Sequence, residues 1–126
     1  MGRTTGLLQK GYTATAAIPA FTIMKFGAAD GTVVPATDGS AMLVGIQSEL
    51  NCDEGDRASA AMVGNIEDVL FGGNVTRGDP LTADAQSRAI KATTAGQFII
   101  GFAEVSGVAG DIGSAIISPG VFTPTA

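Results

Sequence analysis

The chain has no histidine, no tryptophan, a single cysteine and a single tyrosine among its 126 residues. Without histidine it lacks the side chain that titrates nearest neutral pH and most often serves as a general base or metal ligand. Histidine-based triads and histidine-containing zinc sites are therefore excluded. Cys52 alone cannot close an intrachain disulfide, so nothing marks a disulfide-stapled secreted scaffold. Basic residues are also few: 7 Lys and Arg stand against 12 Asp and Glu, for a formal net charge of -5. With the basic residues scattered from Arg3 to Lys91, a phosphate backbone finds no patch to bind, and no nucleic-acid partner is expected. No membrane is expected either, because no apolar run approaches the roughly 18 residues of a spanning helix. The first residues lack the apolar run of about 7–15 that a signal peptide requires. Gly107-x-x-Gly110-x-x-Gly113 has neither the strand–helix setting nor the following Lys-Ser/Thr of a phosphate loop. No cofactor and no metal are expected.

Glycine, in contrast, is abundant: 18 Gly and 5 Pro punctuate the chain at short intervals, the rhythm of strands and turns. Between them lie runs rich in Val, Ile, Phe and Thr at 21–26, 32–36, 42–46, 58–63, 66–71, 98–102 and 112–117. Each has the five or six residues of a common strand. Asp30-Gly31, Asp38-Gly39, Gly55-Asp56, Gly78-Asp79-Pro80 and Gly110-Asp111 read as turns.

The stretch from Thr82 to Ala92 reads as a capped helix when taken by itself. An internal repeat argues otherwise. Sliding the chain by 56 positions lays GAADGTVVPATDGSAMLVGI (27–46) on ADAQSRAIKATTAGQFIIGF (83–102), with Ala36-Thr37 on Ala92-Thr93 and Gly45 on Gly101. The first copy carries Asp-Gly and Pro35, which do not suit a helix interior, so residues 84–92 are predicted to form a hairpin too. Two hairpin units predict an all-β fold, a small β-barrel or sandwich with an internal two-fold hairpin repeat, because closure removes exposed sheet edges. Residues 1–20 are read as an extended N-terminal arm, 21–118 as the barrel domain and 119–126 as a C-terminal tail.

Several chemically suggestive residues have structural explanations. Arg77-Gly78-Asp79 spells an adhesion tripeptide but falls at a turn before Pro80, where an aspartate accepts local backbone N–H bonds. Asp53, Glu54 and Asp56 are carboxylates interrupted by Gly55, better read as a solvated turn than a calcium loop. Cys52 has no histidine to activate it and acidic neighbours to suppress its thiolate. Glu67 and Asp68 are adjacent on a strand and point to opposite faces.

The runs AIPAFTIMKFGAADGTVVPATDGSAMLVGI (17–46), GNIEDVLFGGNVTRGDPLTAD (64–84) and IIGFAEVSGVAGDIGSAIISPG (99–120) together resemble the capsid decoration, or cement, proteins of tailed bacteriophages. The ordered set carries the likeness, over about residues 17–120. The chain departs from that pattern at Gln86-Ser87, where the family often has a glycine turn. The resemblance implies a β-rich barrel, usually a homotrimer, on the outer surface of a virion head built by a separate major capsid protein. It implies a structural role without catalysis. Leu7, Leu8, Tyr12, Ile18 and Phe21 are then candidates for burial against a neighbouring subunit or the shell. Their other reading is that they cover this protein's own barrel. A virion-attached adhesion or glycan-binding module is the alternative function, weakened by a lone Tyr12 and no Trp for stacking.

Overall fold

The computed structural model describes residues 9–47, 51–61 and 65–123. The glycine-bounded apolar runs become strands, and among the described residues there is no helix. In chain order they are β1 (Gln9–Ala14), β2 (Ile23–Phe26), β3 (Thr32–Pro35), β4 (Leu43–Ile46), β5 (Arg57–Ala61), β6 (Ile66–Leu70), β7 (Pro80–Ala83), β8 (Ala89–Lys91), β9 (Phe98–Ala103) and β10 (Ile112–Val121). They form two five-stranded sheets, ordered β4-β2-β3-β1-β5 and β6-β10-β9-β7-β8. The predicted all-β fold with an internal repeat is what forms.

The repeat extends further than the sequence suggests. Met24 pairs with Pro35 and Gly45 as Leu81 pairs with Lys91 and Gly101, so β2, β3 and β4 correspond to β7, β8 and β9. Tyr12 pairs with Ala58 as Val69 pairs with Gly113, so β1 and β5 correspond to β6 and β10. Even the parallel contact is duplicated: Ala14 lies beside Val33, and Phe71 makes a parallel bridge to Ala89. Each unit is thus five strands in one order. The second closes into a ring, because β10 pairs with β9 as well as β6 and the Phe71–Ala89 bridge joins β6 to β8. Among the described residues the first has no ladder between β4 and β5. Gly101 permits the closure: a Cβ there would collide with the Ile116 carbonyl of β10.

This corrects the expected arm. Residues 9–14 are β1, hydrogen-bonded to β3 on one side and to β5 on the other. Residues 9–14 of the expected arm are therefore the first strand of the first unit. Residues 119–121, assigned to a tail, continue β10. Residues 84–92 form the predicted hairpin: Asp84–Ser87 turns and β8 returns against β7.

The interiors follow the same correspondence. Tyr12, Ala14, Ile18, Met24, Val33, Cys52 and Ala58 fill the first unit. Val69, Phe71, Val75, Leu81, Ala83, Ala89 and Ile100 fill the second, in one cluster with Ile23, Ala36, Leu43 and Ile46 from the first. Phe71 has no exposed surface, and its ring occupies the space that Cβ atoms on Gly107 and Gly113 would need. In the first unit the matching places hold Ala14, Cys52 and Ala58. One large and two minimal side chains there replace three small ones, and close packing is kept.

Candidate interaction surface

Turns set the rim of both units. Thr76-Arg77-Gly78-Asp79 is a tight turn in which the Asp79 amide donates to Thr76 O at 2.9 Å, while Asp79 Oδ2 accepts from the Thr76 amide at 2.9 Å. Val108-Ala109-Gly110-Asp111 repeats both bonds, each at 3.0 Å. Gly78 and Gly110 both sit at φ 93°, which only glycine adopts without strain. The Arg-Gly-Asp tripeptide is therefore a self-capped turn, as the sequence predicts. Asp53–Asp56 closes likewise, with the Asp56 amide on Asp53 O at 3.0 Å and Gly55 at φ 91°.

The titratable groups are dispersed. Burial pushes the Cys52 thiol up, and the charges of Asp56 and Asp53 push it further. Burial, with Asp68 as the lesser cause, raises the Glu67 carboxyl. Glu67 pairs with Ala115 and Asp68 with Ser114 on β10, which sends the two side chains to opposite faces as expected. Among the described residues no three His, Cys, Asp or Glu side chains are grouped closely enough to hold a metal ion. No helix among them is long and apolar enough to cross a membrane.

The sequence-derived candidates separate in space. Leu7 and Leu8 lie outside the described residues. Tyr12, 8% exposed, points into the first unit, its ring edge-on to Phe26 at 6.1 Å between centroids. Ile18 is fully buried and bridges Cys52. Phe21 is half-buried, with φ at 64°. Of the described candidates, only Phe21 leaves much of its side chain at the surface.

A different set forms a continuous apolar surface. On the outer face of the second unit, Ile116 of β10 stands in register with Ile66 of β6 on one side and Phe102 of β9 on the other. They are 40%, 53% and 40% exposed. Pro80 of β7 pairs with Phe102 and extends the row, and Ile112 lies further along β10. Glu104 and Ser114, joined at 2.6 Å, and Asp68 border it. Large exposed apolar side chains in contiguous register mark interaction sites more than lone ones do. Sequence reasoning placed these residues in strands without distinguishing their faces. Alternation along β10, with Ala115 and Ile117 inward and Ile112 and Ile116 outward, is the signal that separates them.

The outer apolar row is the candidate interaction surface of this small repeat barrel. Residues 4–117 match the model of the phage cement protein family. The chain belongs to the phage cement protein family. It is a structural protein of the phage head. Among solved structures, its fold is similar to the crystal structure of the head fiber gp8.5 N base in bacteriophage phi29, with a TM-score of 0.61 at 16% identity. That likeness covers 89% of this chain and 94% of the other. No curated protein sequence matches the chain.

Proposed function

We propose that this cement protein binds the outer surface of the assembled capsid and stabilises the head by clamping major capsid protein subunits. The observation that carries the reading is the exposed Ile66–Ile116–Phe102 row on a chain of the cement family. A ligand that binds only the assembled lattice stabilises it by mass action. Repeated weak contacts over the lattice add through multivalency. The protein acts as a homotrimer and without catalysis. The net charge of -5 suits a solvent-facing position outside the shell, away from packaged DNA. Phe21, with Leu7 and Leu8, belongs to the surface that meets the shell.

The test adds purified protein to heads that lack it and follows the temperature at which they release DNA. Saturable binding with a raised release temperature is expected. Binding that leaves the temperature unchanged contradicts clamping, and absence of binding contradicts the whole reading.

A further inference from the structure

Asp-Gly occurs twice in the chain, at Asp30-Gly31 and Asp38-Gly39. This dipeptide is open to one backbone reaction, because glycine places no side chain beside its nitrogen. The glycine nitrogen attacks the aspartate carboxyl carbon, and the carboxyl hydroxyl leaves with the amide proton as water. The succinimide ring so formed takes water back at either carbonyl. Opening on one side restores aspartate, and opening on the other leaves isoaspartate, whose main chain runs through the former side chain. Water is lost and regained, and no other reactant is needed. The reaction asks for a neutral carboxyl that is free to swing, an unengaged glycine amide and space for the ring.

The fold treats the two pairs differently. Asp30 and Gly31 are both exposed in the turn between β2 and β3. Among the described residues no hydrogen bond or ion pair holds the Asp30 carboxylate, and the Gly31 amide donates to none. A Cβ on Gly31 would meet nothing within 4 Å, which leaves space for the ring. Asp38 is held instead: its Oδ1 accepts from the Ser40 hydroxyl at 2.6 Å and from the Ser40 amide at 2.9 Å. Those two bonds lower the Asp38 carboxyl from its ordinary value and keep it charged. Gly39 is buried, its carbonyl accepts from the Phe98 amide at 2.9 Å, and a Cβ there would collide with Thr82 Oγ1.

We propose that Asp30 is a site of spontaneous isoaspartate formation in the folded protein, and that the fold protects Asp38 from the same reaction. The site lies where the change alters structure. Thr32 closes the turn on Ala29 O through its amide at 3.2 Å and its hydroxyl at 2.6 Å, and the Thr13 amide of β1 donates to Gly31 O at 2.8 Å. Isomerisation inserts one carbon into the main chain between those two carbonyls. It therefore loosens the turn from β1, beside the groove of about 460 Å³ that Tyr12, Phe26 and residues 27–31 line. The second unit has Gln86-Ser87 at the matching place, with no aspartate to cyclise. The modification is thus an ageing mark on the first unit alone.

Ageing the purified full chain in mildly acidic heavy-oxygen water tests the proposal. An endoprotease that cuts before aspartate leaves isoaspartate uncut, so missed cleavage at position 30 or 38 counts the isomer at each. Missed cleavage at Asp30 should accumulate at least about tenfold faster than at Asp38, the effect on a barrier of the bonds and crowding that hold Asp38-Gly39. Each uncut peptide should carry added heavy oxygen from ring opening. In denaturant the two rates should converge to within about threefold, since the same dipeptide then reacts without the fold. Absence of isoaspartate at Asp30 overturns the proposal. So do equal rates in the folded chain, uncut peptides without heavy oxygen, or a preference for Asp30 that persists undiminished in denaturant.

Discussion

Phe21 and Gly78 hold the same position in the two units. Their amides donate to Gln47 O at 3.1 Å and Ala103 O at 2.8 Å, and both backbones are left-handed, with φ 64° and 93°. Glycine adopts that conformation freely, whereas a bulky side chain does so at a cost of order 1–3 kcal/mol. A strained, half-buried aromatic where the repeat accepts glycine belongs with function more than with folding. Phe21→Gly should keep stability within about 1 kcal/mol of the parent, lost packing offsetting relieved strain. It should also weaken attachment to heads. A melt combined with a head-binding titration checks this, and a variant that binds fully contradicts the role given to Phe21.

Ser87 shows the reverse exchange. It takes φ 64° where the first unit has Gly31 at 77°, and its hydroxyl reaches across to Ala36 O. Ser87→Ala keeps the strain and removes the bond, and it should cost about 1–3 kcal/mol. Ser87→Gly loses the same bond while relieving the left-handed penalty, of order 1 kcal/mol. Denaturant unfolding should rank the parent above the glycine variant and the glycine variant above the alanine variant.

Thr82 has no exposed surface, and its hydroxyl has no hydrogen-bond partner among the described residues. Burying an unpaired hydroxyl is unfavourable, and a methyl group of similar shape removes the penalty. Thr82→Val should leave stability unchanged or raise it by up to about 1 kcal/mol. A thermal melt that falls by several degrees argues that the hydroxyl is needed.

Glu67 predicts a pH dependence. Its raised carboxyl means that the folded chain favours the protonated form. Its contribution to stability is thus full below the ordinary carboxyl range and is lost as pH rises through the raised value. Glu67→Gln should melt higher than the parent at pH 7, with the gain vanishing near about pH 3. A gain that persists undiminished in acid contradicts this cause.

The 56-residue repeat is legible in sequence for β2–β4 against β7–β9, because turn residues and strand-ending glycines recur there. It is silent for β1 against β6, since Gln9–Ala14 and Ile66–Phe71 share no residue at matching positions. The size exchange of Ala14, Cys52 and Ala58 for Phe71, Gly107 and Gly113 conserves volume and erases likeness. Left-handed positions are hidden in the same way, by Phe21 against Gly78 and Ser87 against Gly31. A segment without visible counterpart thus reads as an arm, although its residues 9–14 form a strand. The apolar row was out of reach for another reason. Ile66, Phe102 and Ile116 come from separate strands, and only the register brings them together.

The account rests most on attachment of this chain to the phage head in lattice numbers. Quantitative mass spectrometry of purified virions, counting this chain against the major capsid protein, measures it directly. Abundance comparable to that of the shell protein is the predicted result. Absence from the particle, or only a few copies in each, would contradict it.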